Sequence, residues 1–271
     1  PMVTYGVVTN SSIGDLFVAG IVPGVMIAVA LVCIVFWLAK KYDLRGGEPT
    51  SLKKILVSGK DALMALMMPV IILGGIYGGV FTPTEAAAVA TVYALIVGMF
   101  IFREITLADL RVVILKAAVS SAVVLFVIAT SSSFSWLLTS LQIPEKVAST
   151  MLSISNNPTV ILLLLNIILL FLGSFLETQA IILLVTPIIF PLAMNLGVDP
   201  LVLGIIIVVN TSAGMITPPM AVNLFVACSL SGLSIEKISR RILPFLFAEI
   251  VVLLLITNIP ALSLTLVKLL K

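Results

Sequence analysis

The chain has 271 residues, of which 61% are hydrophobic and 10% charged, with a formal net charge of +3 and no histidine. Because so few charged residues cannot cover a water-soluble surface, the composition predicts an all-α polytopic membrane protein. The small net charge gives no reason to expect nucleic acid as a partner. The lack of histidine excludes imidazole metal sites and histidine acid–base catalysis, and the sequence has no G-x-x-x-x-G-K-[ST] loop for nucleotide hydrolysis.

The first elements are a short apolar piece, 1–8, and a membrane helix from about Phe17 to Leu38. The residues between Lys40 and Lys60 are basic on balance, which by the positive-inside rule places this loop in the cytoplasm. The later part of the loop is typical of an amphipathic arm in contact with membrane lipid. Because the chain begins with Pro and not Met, we expect it to be the C-terminal part of a longer protein.

The next two segments are predicted to pack as membrane helices. Residues 62–81 are apolar enough to cross a bilayer, and Thr82 and Glu85 form a capping box that starts a new helix. A long helix at 112–141 follows, and a Thr/Ser cluster at 130–135 interrupts it. We expect those hydroxyls to bond back to helix carbonyls, although a polar path along the cluster is the alternative.

Two apolar arms around a polar tip predict a re-entrant hairpin. After a short interfacial helix at 144–155, the arms occupy 159–172 and 179–194, and the tip occupies 173–178. Glu177 lies in the tip, and a carboxylate at membrane depth is a candidate functional residue. The alternative is that both arms cross the bilayer fully and Glu177 lies among the headgroups.

A second polar interruption follows at Asn210–Pro219, between apolar runs at 201–209 and 220–228. Each run would form a helix of about 13 Å, less than half the hydrocarbon thickness, and Pro218 and Pro219 remove two backbone donors between them. Unwound backbone at this depth exposes carbonyl oxygens that suit a small cation, as in secondary transporters. The alternative is a proline kink that neighbouring helices repair.

A weak internal repeat relates the two ends of the chain. A shift of 221 residues brings Ile21-Val-Pro23 onto Ile242-Leu-Pro244. In the first copy the basic residues follow the helix, whereas in the second copy Lys237, Arg240 and Arg241 precede it. Equivalent helices therefore run in opposite directions, which is typical of an inverted-topology repeat.

Four groups of motifs carry a family resemblance that extends over essentially the whole chain. They are Pro1-Met-Val-Thr-Tyr-Gly6, Ser12-Ile-Gly-Asp-Leu-Phe-Val-Ala-Gly20, Gly75-Ile-Tyr-Gly-Gly-Val-Phe-Thr-Pro-Thr-Glu-Ala-Ala-Ala88, and Gly214-Met-Ile-Thr-Pro-Pro219 with Asn223-Leu-Phe225. Together they resemble the large membrane subunit of TRAP transporters, the tripartite ATP-independent periplasmic systems.

The resemblance implies a Na⁺-driven importer of an organic acid of the sialic acid or C4-dicarboxylate class, in the bacterial inner membrane. It implies a periplasmic substrate-binding protein and a small transmembrane subunit as partners, the latter fused in some members. It also implies an inverted-repeat elevator-type carrier with a re-entrant hairpin and broken helices. The expected parts are the end of the first repeat (1–38), a cytoplasmic loop and arm (39–61), scaffold helices (62–141), an interfacial arm (142–156), a transport domain (157–228), and a last helix with the C-terminus (229–271).

In related folds a Na⁺ ion lies between the hairpin tip and the helix break. Carried onto this chain, the resemblance implies a Na⁺ site formed by Gly173, Ser174, Glu177, Thr178, Asn210, Thr211, Gly214 and Thr217. The helix N-terminus after the break would face the substrate carboxylate. The corresponding substrate-binding residues are Ser212, Pro218, Pro219, Met220 and Asn223.

Three other functions compete with this interpretation. An intramembrane enzyme would use Ser174 as nucleophile or Glu177 as acid, but without histidine or a carboxylate dyad we expect no enzyme activity. A pure scaffold subunit would explain the glycine pairs but not the polar residues at two breaks. A Na⁺/dicarboxylate symporter of related fold would work without a binding protein.

Overall fold

The computed structural model describes residues 1–43, 51–218 and 221–270, and these residues form helices and connecting turns without a strand. By length and apolar composition, five helices in the described ranges could cross a membrane, or six if one bent pair counts as a single span. The prediction of an all-α polytopic membrane protein is therefore confirmed. The helices are α1 Met2–Thr9, α2 Ile13–Ala19, α3 Ile21–Lys41, α4 Leu52–Tyr77, α5 Pro83–Ile96 with a π-helical turn Val97–Ile101, α6 Leu107–Ser140, α7 Ile143–Ile154, α8 Pro158–Gly173, α9 Thr178–Asn195, α10 Pro200–Gly214, α11 Val222–Ser231, α12 Ile235–Asn258 and α13 Ala261–Leu270.

One compact unit of the chain is Leu44–Phe126, in which α4 packs against α5. The Tyr93 hydroxyl on α5 donates to the Met64 carbonyl on α4 at 2.7 Å. The predicted capping box at the start of α5 is confirmed: the Glu85 N–H donates to Thr82 Oγ1 at 3.3 Å, and the Thr82 N–H donates to Glu85 Oε2 at 2.8 Å. These reciprocal bonds satisfy two N–H groups that the helix itself leaves without partners.

The Thr/Ser cluster at 130–135 does not interrupt α6, which is continuous from Leu107 to Ser140. The Thr130 hydroxyl donates to Val127 O at 3.0 Å, and the Ser132 hydroxyl donates to Ile128 O at 2.8 Å. The predicted interruption was wrong and the predicted back-bonding is confirmed. The hydroxyls satisfy themselves on the preceding turn, so they need no break in the helix.

The second compact unit, Pro1–Asp43 with Val127–Lys271, contains the predicted hairpin. Helices α8 and α9 are joined by the short tip 174–177. At their other ends, Pro158 and Thr159 of α8 line the same cavity as Leu196 and Gly197 just after α9. The two helices therefore run antiparallel, and α8, at 16 residues or about 24 Å, is shorter than the roughly 30 Å hydrocarbon thickness.

Helix α10 forms the centre of this unit. Its residues from Val202 to Ile207 are buried on every side, as expected for a helix that is apolar all round. Leu162 on α8 and Val202 on α10 line one cavity, and the last residues of the same two helices, Gly173 and Gly214, touch. Helices α8 and α10 therefore run parallel and end at the same level.

Helices α3 and α12 pack against each other in opposite directions. The Arg241 guanidinium near the start of α12 lies 4.8 Å from the centre of the Tyr42 ring, which follows the end of α3. The segment that contains α2 and α3 begins after α1, and α12 begins after α11. Both α1 and α11 are short and end in a residue with a left-handed backbone conformation, Asn10 after α1 and Gly232 after α11. The opposed directions agree with the charge pattern, and the inverted repeat itself stays a prediction.

Candidate functional site

The predicted interruption of the helix after residue 201 is present, but its predicted start was wrong. Helix α10 continues through Asn210 and Thr211 to Gly214, and α11 begins at Val222. The break therefore starts five residues later than expected. Thr211 remains helical because its hydroxyl donates to Ile207 O at 2.8 Å, within the same helix.

The ends of α8 and α10 meet at two glycines. A Cβ placed on Gly214 would lie 2.6 Å from the Gly173 Cα, and one placed on Gly173 would lie 2.9 Å from the Gly214 Cα. A Cβ on Gly173 would also lie 3.5 Å from the Cα and the carbonyl oxygen of Thr211. Only residues without side chains allow two backbones to approach this closely. The structure therefore brings together three of the residues predicted for the ion site, Gly173, Thr211 and Gly214, at the C-terminal ends of α8 and α10.

This contact brings together the C-terminal ends of two parallel helices. The last carbonyls of a helix have no N–H partner inside it and carry the negative end of the helix dipole. Two such ends at Gly173 and Gly214 bring backbone carbonyls together in a buried region of the protein. The oxygens of Leu172, Ala213 and Gly214 each also accept from an N–H just beyond the helix end. An arrangement of this kind favours a cation over an anion.

The side chains of the tip divide into buried and exposed groups. Ser174 and Thr178 are buried, at 4% and 5% exposure, whereas Glu177 is exposed. The Ser174 hydroxyl donates to Phe171 O at 2.7 Å. The Thr178 hydroxyl lies 3.3 Å from the sulfur of Met215, the first residue of the break. Thr178 thus links the hairpin to the break, while the Glu177 side chain is exposed.

The residues of the break are held by local bonds. The Thr217 hydroxyl donates to Ala213 O at 2.8 Å, and the Asn223 N–H donates to Met215 O at 3.2 Å across the break. The predicted substrate residue Ser212 is exposed, and its hydroxyl donates to Val208 O at 2.8 Å. Among the other predicted substrate residues, Pro218 is half-buried, Asn223 is exposed, and Pro219 and Met220 lie outside the described residues.

A buried polar network lies beneath this contact and was missed by the sequence analysis. The Asn210 Nδ2 donates to the backbone oxygen of Asn166 at 2.9 Å and to Asn166 Oδ1 at 3.1 Å. The Asn166 Nδ2 donates to Thr257 Oγ1 on α12 at 2.9 Å. The Asn210 Oδ1 is buried without a hydrogen-bond partner. A single Asn within the apolar run of α8 was the available signal, because amides at membrane depth pair across helices.

Helix α1 is fixed to the hairpin and to α10 by two side chains. The Tyr5 hydroxyl donates to Pro200 O at 2.8 Å, and Thr4 Oγ1 donates to Gln179 Oε1 at 2.8 Å. The Tyr5 ring is fully buried against Gly204, where an added Cβ would lie 2.6 Å from Cε1 of the ring. The first helix is therefore part of the same packed body as α9 and α10.

No group of three His, Cys, Asp or Glu side chains that could hold a metal occurs among the residues that the structure describes. A transition-metal or multi-carboxylate Ca²⁺ centre has no basis in these ranges. The described oxygens near the glycine contact belong to backbone carbonyls, hydroxyls and one amide. Such neutral oxygens suit a monovalent hard cation.

Comparison with known proteins gives a family for the chain. The model of the family described as "Tripartite ATP-independent periplasmic transporter, DctM component" matches residues 1–262. Among similar proteins, a C4-dicarboxylate TRAP transporter large permease protein from Pseudomonas aeruginosa is 43% identical over 265 residues, which is 98% of this chain and 62% of that protein.

Two further relatives carry different substrate names. An isethionate TRAP transporter permease protein from Oleidesulfovibrio alaskensis is 42% identical over 262 residues, 96% of this chain and 41% of that protein. A sialic acid TRAP transporter large permease protein from Vibrio cholerae is 38% identical over 269 residues, 99% of this chain and 63% of that protein. The chain thus spans less than two thirds of the length of each of these relatives.

Proposed function

The chain belongs to the family of the DctM component of tripartite ATP-independent periplasmic transporters, and on this premise we propose that it forms part of a Na⁺-driven carrier that imports an organic acid. One observation supports the ion site above all others. The C-terminal ends of α8 and α10 meet at Gly173 and Gly214. Asn210 lies about one turn before Gly214, and its side-chain oxygen Oδ1 is buried without a hydrogen-bond partner.

A Na⁺ ion would meet the requirements of this region. It would find oxygens from Asn210 and from the ends of the two helices, and the dipoles of both helices favour positive charge there. The residues proposed to hold it are those that the sequence predicts for the ion site: Gly173, Ser174, Glu177, Thr178, Asn210, Thr211, Gly214 and Thr217. Of these, Glu177 has the least support, because its side chain is exposed.

Coupling between ion and substrate follows from charge and from contact. Glu177 is exposed, and the described residues hold no carboxylate cluster, so a Na⁺ ion bound by the buried oxygens would leave them with a net positive charge that an anionic substrate offsets. The ion would also hold the hairpin tip against the break, which favours one of two conformations, because a ligand shifts an equilibrium only when it binds one state better. We propose that this state is the one in which Ser212, Pro218, Pro219, Met220 and Asn223 receive the substrate.

The substrate class is an organic anion. The relatives above are named for a C4-dicarboxylate, for isethionate and for sialic acid, each of which has at least one acidic group. We propose a carboxylate or sulfonate substrate, delivered by a periplasmic substrate-binding protein and taken up with the help of a small transmembrane subunit. The site would cross the bacterial inner membrane by an elevator movement of the hairpin unit.

The test is uptake by the complete transporter reconstituted into proteoliposomes, with a purified cognate binding protein and a panel of labelled organic acids. We expect uptake only with binding protein and an inward Na⁺ gradient, and loss of uptake when K⁺ replaces Na⁺ or an ionophore collapses the gradient. Uptake driven equally well by a K⁺ gradient or by a proton gradient would refute Na⁺ as the coupling ion. Uptake without the binding protein would instead support the symporter alternative.

A further inference from the structure

Three buried polar residues connect α12 to α10 through α8. Asn210, Asn166 and Thr257 have 0%, 5% and 3% of their surface exposed. Each lies on a different helix, within a largely apolar stretch of the sequence. Buried polar groups of this kind persist only when their hydrogen bonds are arranged, so the direction of each bond carries information.

The direction of the bonds is set from α12. The Thr257 hydroxyl donates its one proton to Leu253 O at 2.8 Å. The oxygen of that hydroxyl can therefore only accept from its neighbour, and the Asn166 Nδ2 donates to it at 2.9 Å. With its Nδ2 facing Thr257, Asn166 presents its Oδ1 to α10.

The same reasoning fixes the amide of Asn210. It faces two acceptors, the backbone oxygen and the Oδ1 of Asn166, at 2.9 and 3.1 Å. The group turned toward them must be the Nδ2, because the reversed amide would bring three oxygens together without a proton. The Asn210 Oδ1 is thereby turned away from α8 and left buried without a partner.

Building on the proposed Na⁺ function, we propose that Thr257 and Asn166 are positioning residues that keep the Asn210 Oδ1 available as an acceptor for the coupling ion. Neither needs to touch the ion. Their role is to supply the second of the two acceptors that hold the Asn210 amide in this orientation, since the first, the backbone oxygen of Asn166, does not depend on Thr257. Ion affinity would then depend on a hydroxyl two helices away.

The substitution Thr257→Val keeps the side-chain volume but removes the acceptor for Asn166. The Asn166 Nδ2 is then buried without that acceptor, and the orientation of the Asn166 side chain is no longer fixed from α12. The Asn210 amide keeps its bond to the backbone oxygen of Asn166 but loses the fixed second acceptor, Asn166 Oδ1. We expect the Na⁺ concentration at half-maximal uptake to rise roughly three- to tenfold, the size of one hydrogen bond. Maximal uptake and apparent substrate affinity at saturating Na⁺ should stay near those of the unsubstituted transporter.

Three variants sharpen the test in the complete reconstituted transporter. Thr257→Ser restores the hydroxyl and should restore the Na⁺ affinity. Thr257→Cys, with a weaker acceptor, should show a smaller change in the same direction and serves as well if the valine variant fails to fold. Thr265→Val is the matched control, since Thr265 is exposed on α13 and its hydroxyl donates to Ala261 O in its own helix.

Stabilisation by Na⁺ in a thermal unfolding assay gives a readout that does not depend on uptake. The concentration of Na⁺ needed to raise the unfolding temperature should rise for Thr257→Val and not for Thr257→Ser or Thr265→Val. A Na⁺ response that is the same in all variants overturns this inference alone. An unsubstituted transporter without any Na⁺ response overturns the proposed function, and this inference with it.

Discussion

The contact between Gly173 and Gly214 makes a quantitative prediction for Gly214→Ala. The new Cβ would lie 2.6 Å from the Gly173 Cα and 2.7 Å from its carbonyl carbon. Ordinary contacts between carbon atoms begin near 3.5 Å, so α8 and α10 must separate by about 0.9 Å. Both clashing atoms belong to the backbone, so no side-chain rotation can relieve the overlap.

Overpacking of this kind costs about 1–3 kcal/mol, which reduces the population of the closed contact roughly five- to 150-fold. We therefore expect Gly214→Ala to raise the Na⁺ concentration at half-maximal uptake by at least about fivefold. Unfolding in detergent, followed by fluorescence, should also begin at a lower temperature. Both measurements use the complete transporter, and the proposed binding protein is supplied for uptake.

The matched control is Gly24→Ala. Gly24 lies in α3, is exposed, and an added Cβ there would meet nothing within 4 Å. Alanine in a helix is favoured over glycine by about 0.5–1 kcal/mol, so this control should be neutral or slightly stabilising. If Gly214→Ala and Gly24→Ala gave the same Na⁺ affinity and the same unfolding temperature, the close contact would not exist in the working transporter.

Three further predictions follow from single contacts. Asn210→Ala removes the buried amide and should raise the Na⁺ requirement roughly tenfold or more, measured as uptake against Na⁺ concentration. Tyr5→Phe removes the bond to Pro200 O and should destabilise the protein by about 0.5–1.5 kcal/mol in thermal unfolding, with little change in Na⁺ requirement. Cysteines at Tyr42 and Arg241 should react with an impermeant maleimide from the cytoplasmic side only, because their side chains touch and basic residues flank them.

Each of these predictions has a control. The labelling experiment needs Cys33 and Cys228 replaced by alanine, and a cysteine at Asn258, at the other end of α12, should react from the periplasmic side. Labelling of all three positions from one side would show that α12 does not cross the bilayer, and labelling of positions 42 and 241 from opposite sides would contradict the antiparallel arrangement of α3 and α12. An unchanged Na⁺ requirement in Asn210→Ala would remove its oxygen from the proposed ion site. A Tyr5→Phe protein as stable as the original would show that the hydroxyl bonds equally well to water.

The sequence predicts the elements of the site better than its contacts. Glycine, proline and polar residues mark the hairpin tip and the break, because each removes a backbone bond or adds an alternative one. Their effect does not extend to the start of the break: Asn210 and Thr211 remain helical, since their side chains find partners elsewhere. Local sequence rules could not show this.

The residues that hold Asn210 were beyond sequence reasoning for a related reason. Asn166 and Thr257 lie 44 and 47 positions from Asn210 in the sequence, and hydrogen bonds between helices follow from packing. An Asn in an apolar run signals that a partner exists but does not identify it. The glycine contact could not be predicted for a similar reason, because nothing in the sequence distinguishes Gly173 and Gly214 from glycines that pack against nothing.

The attachment of α1 has a consequence for any moving part of this molecule. Tyr5 bonds to a residue 195 positions later, and Thr4 to one 175 positions later. A rigid displacement of α10 must take these opening residues along, or break both bonds and pull a buried ring out of its slot beside Gly204. Two stretches that are far apart in the sequence would therefore move together as one rigid unit, and any hinge must lie outside them.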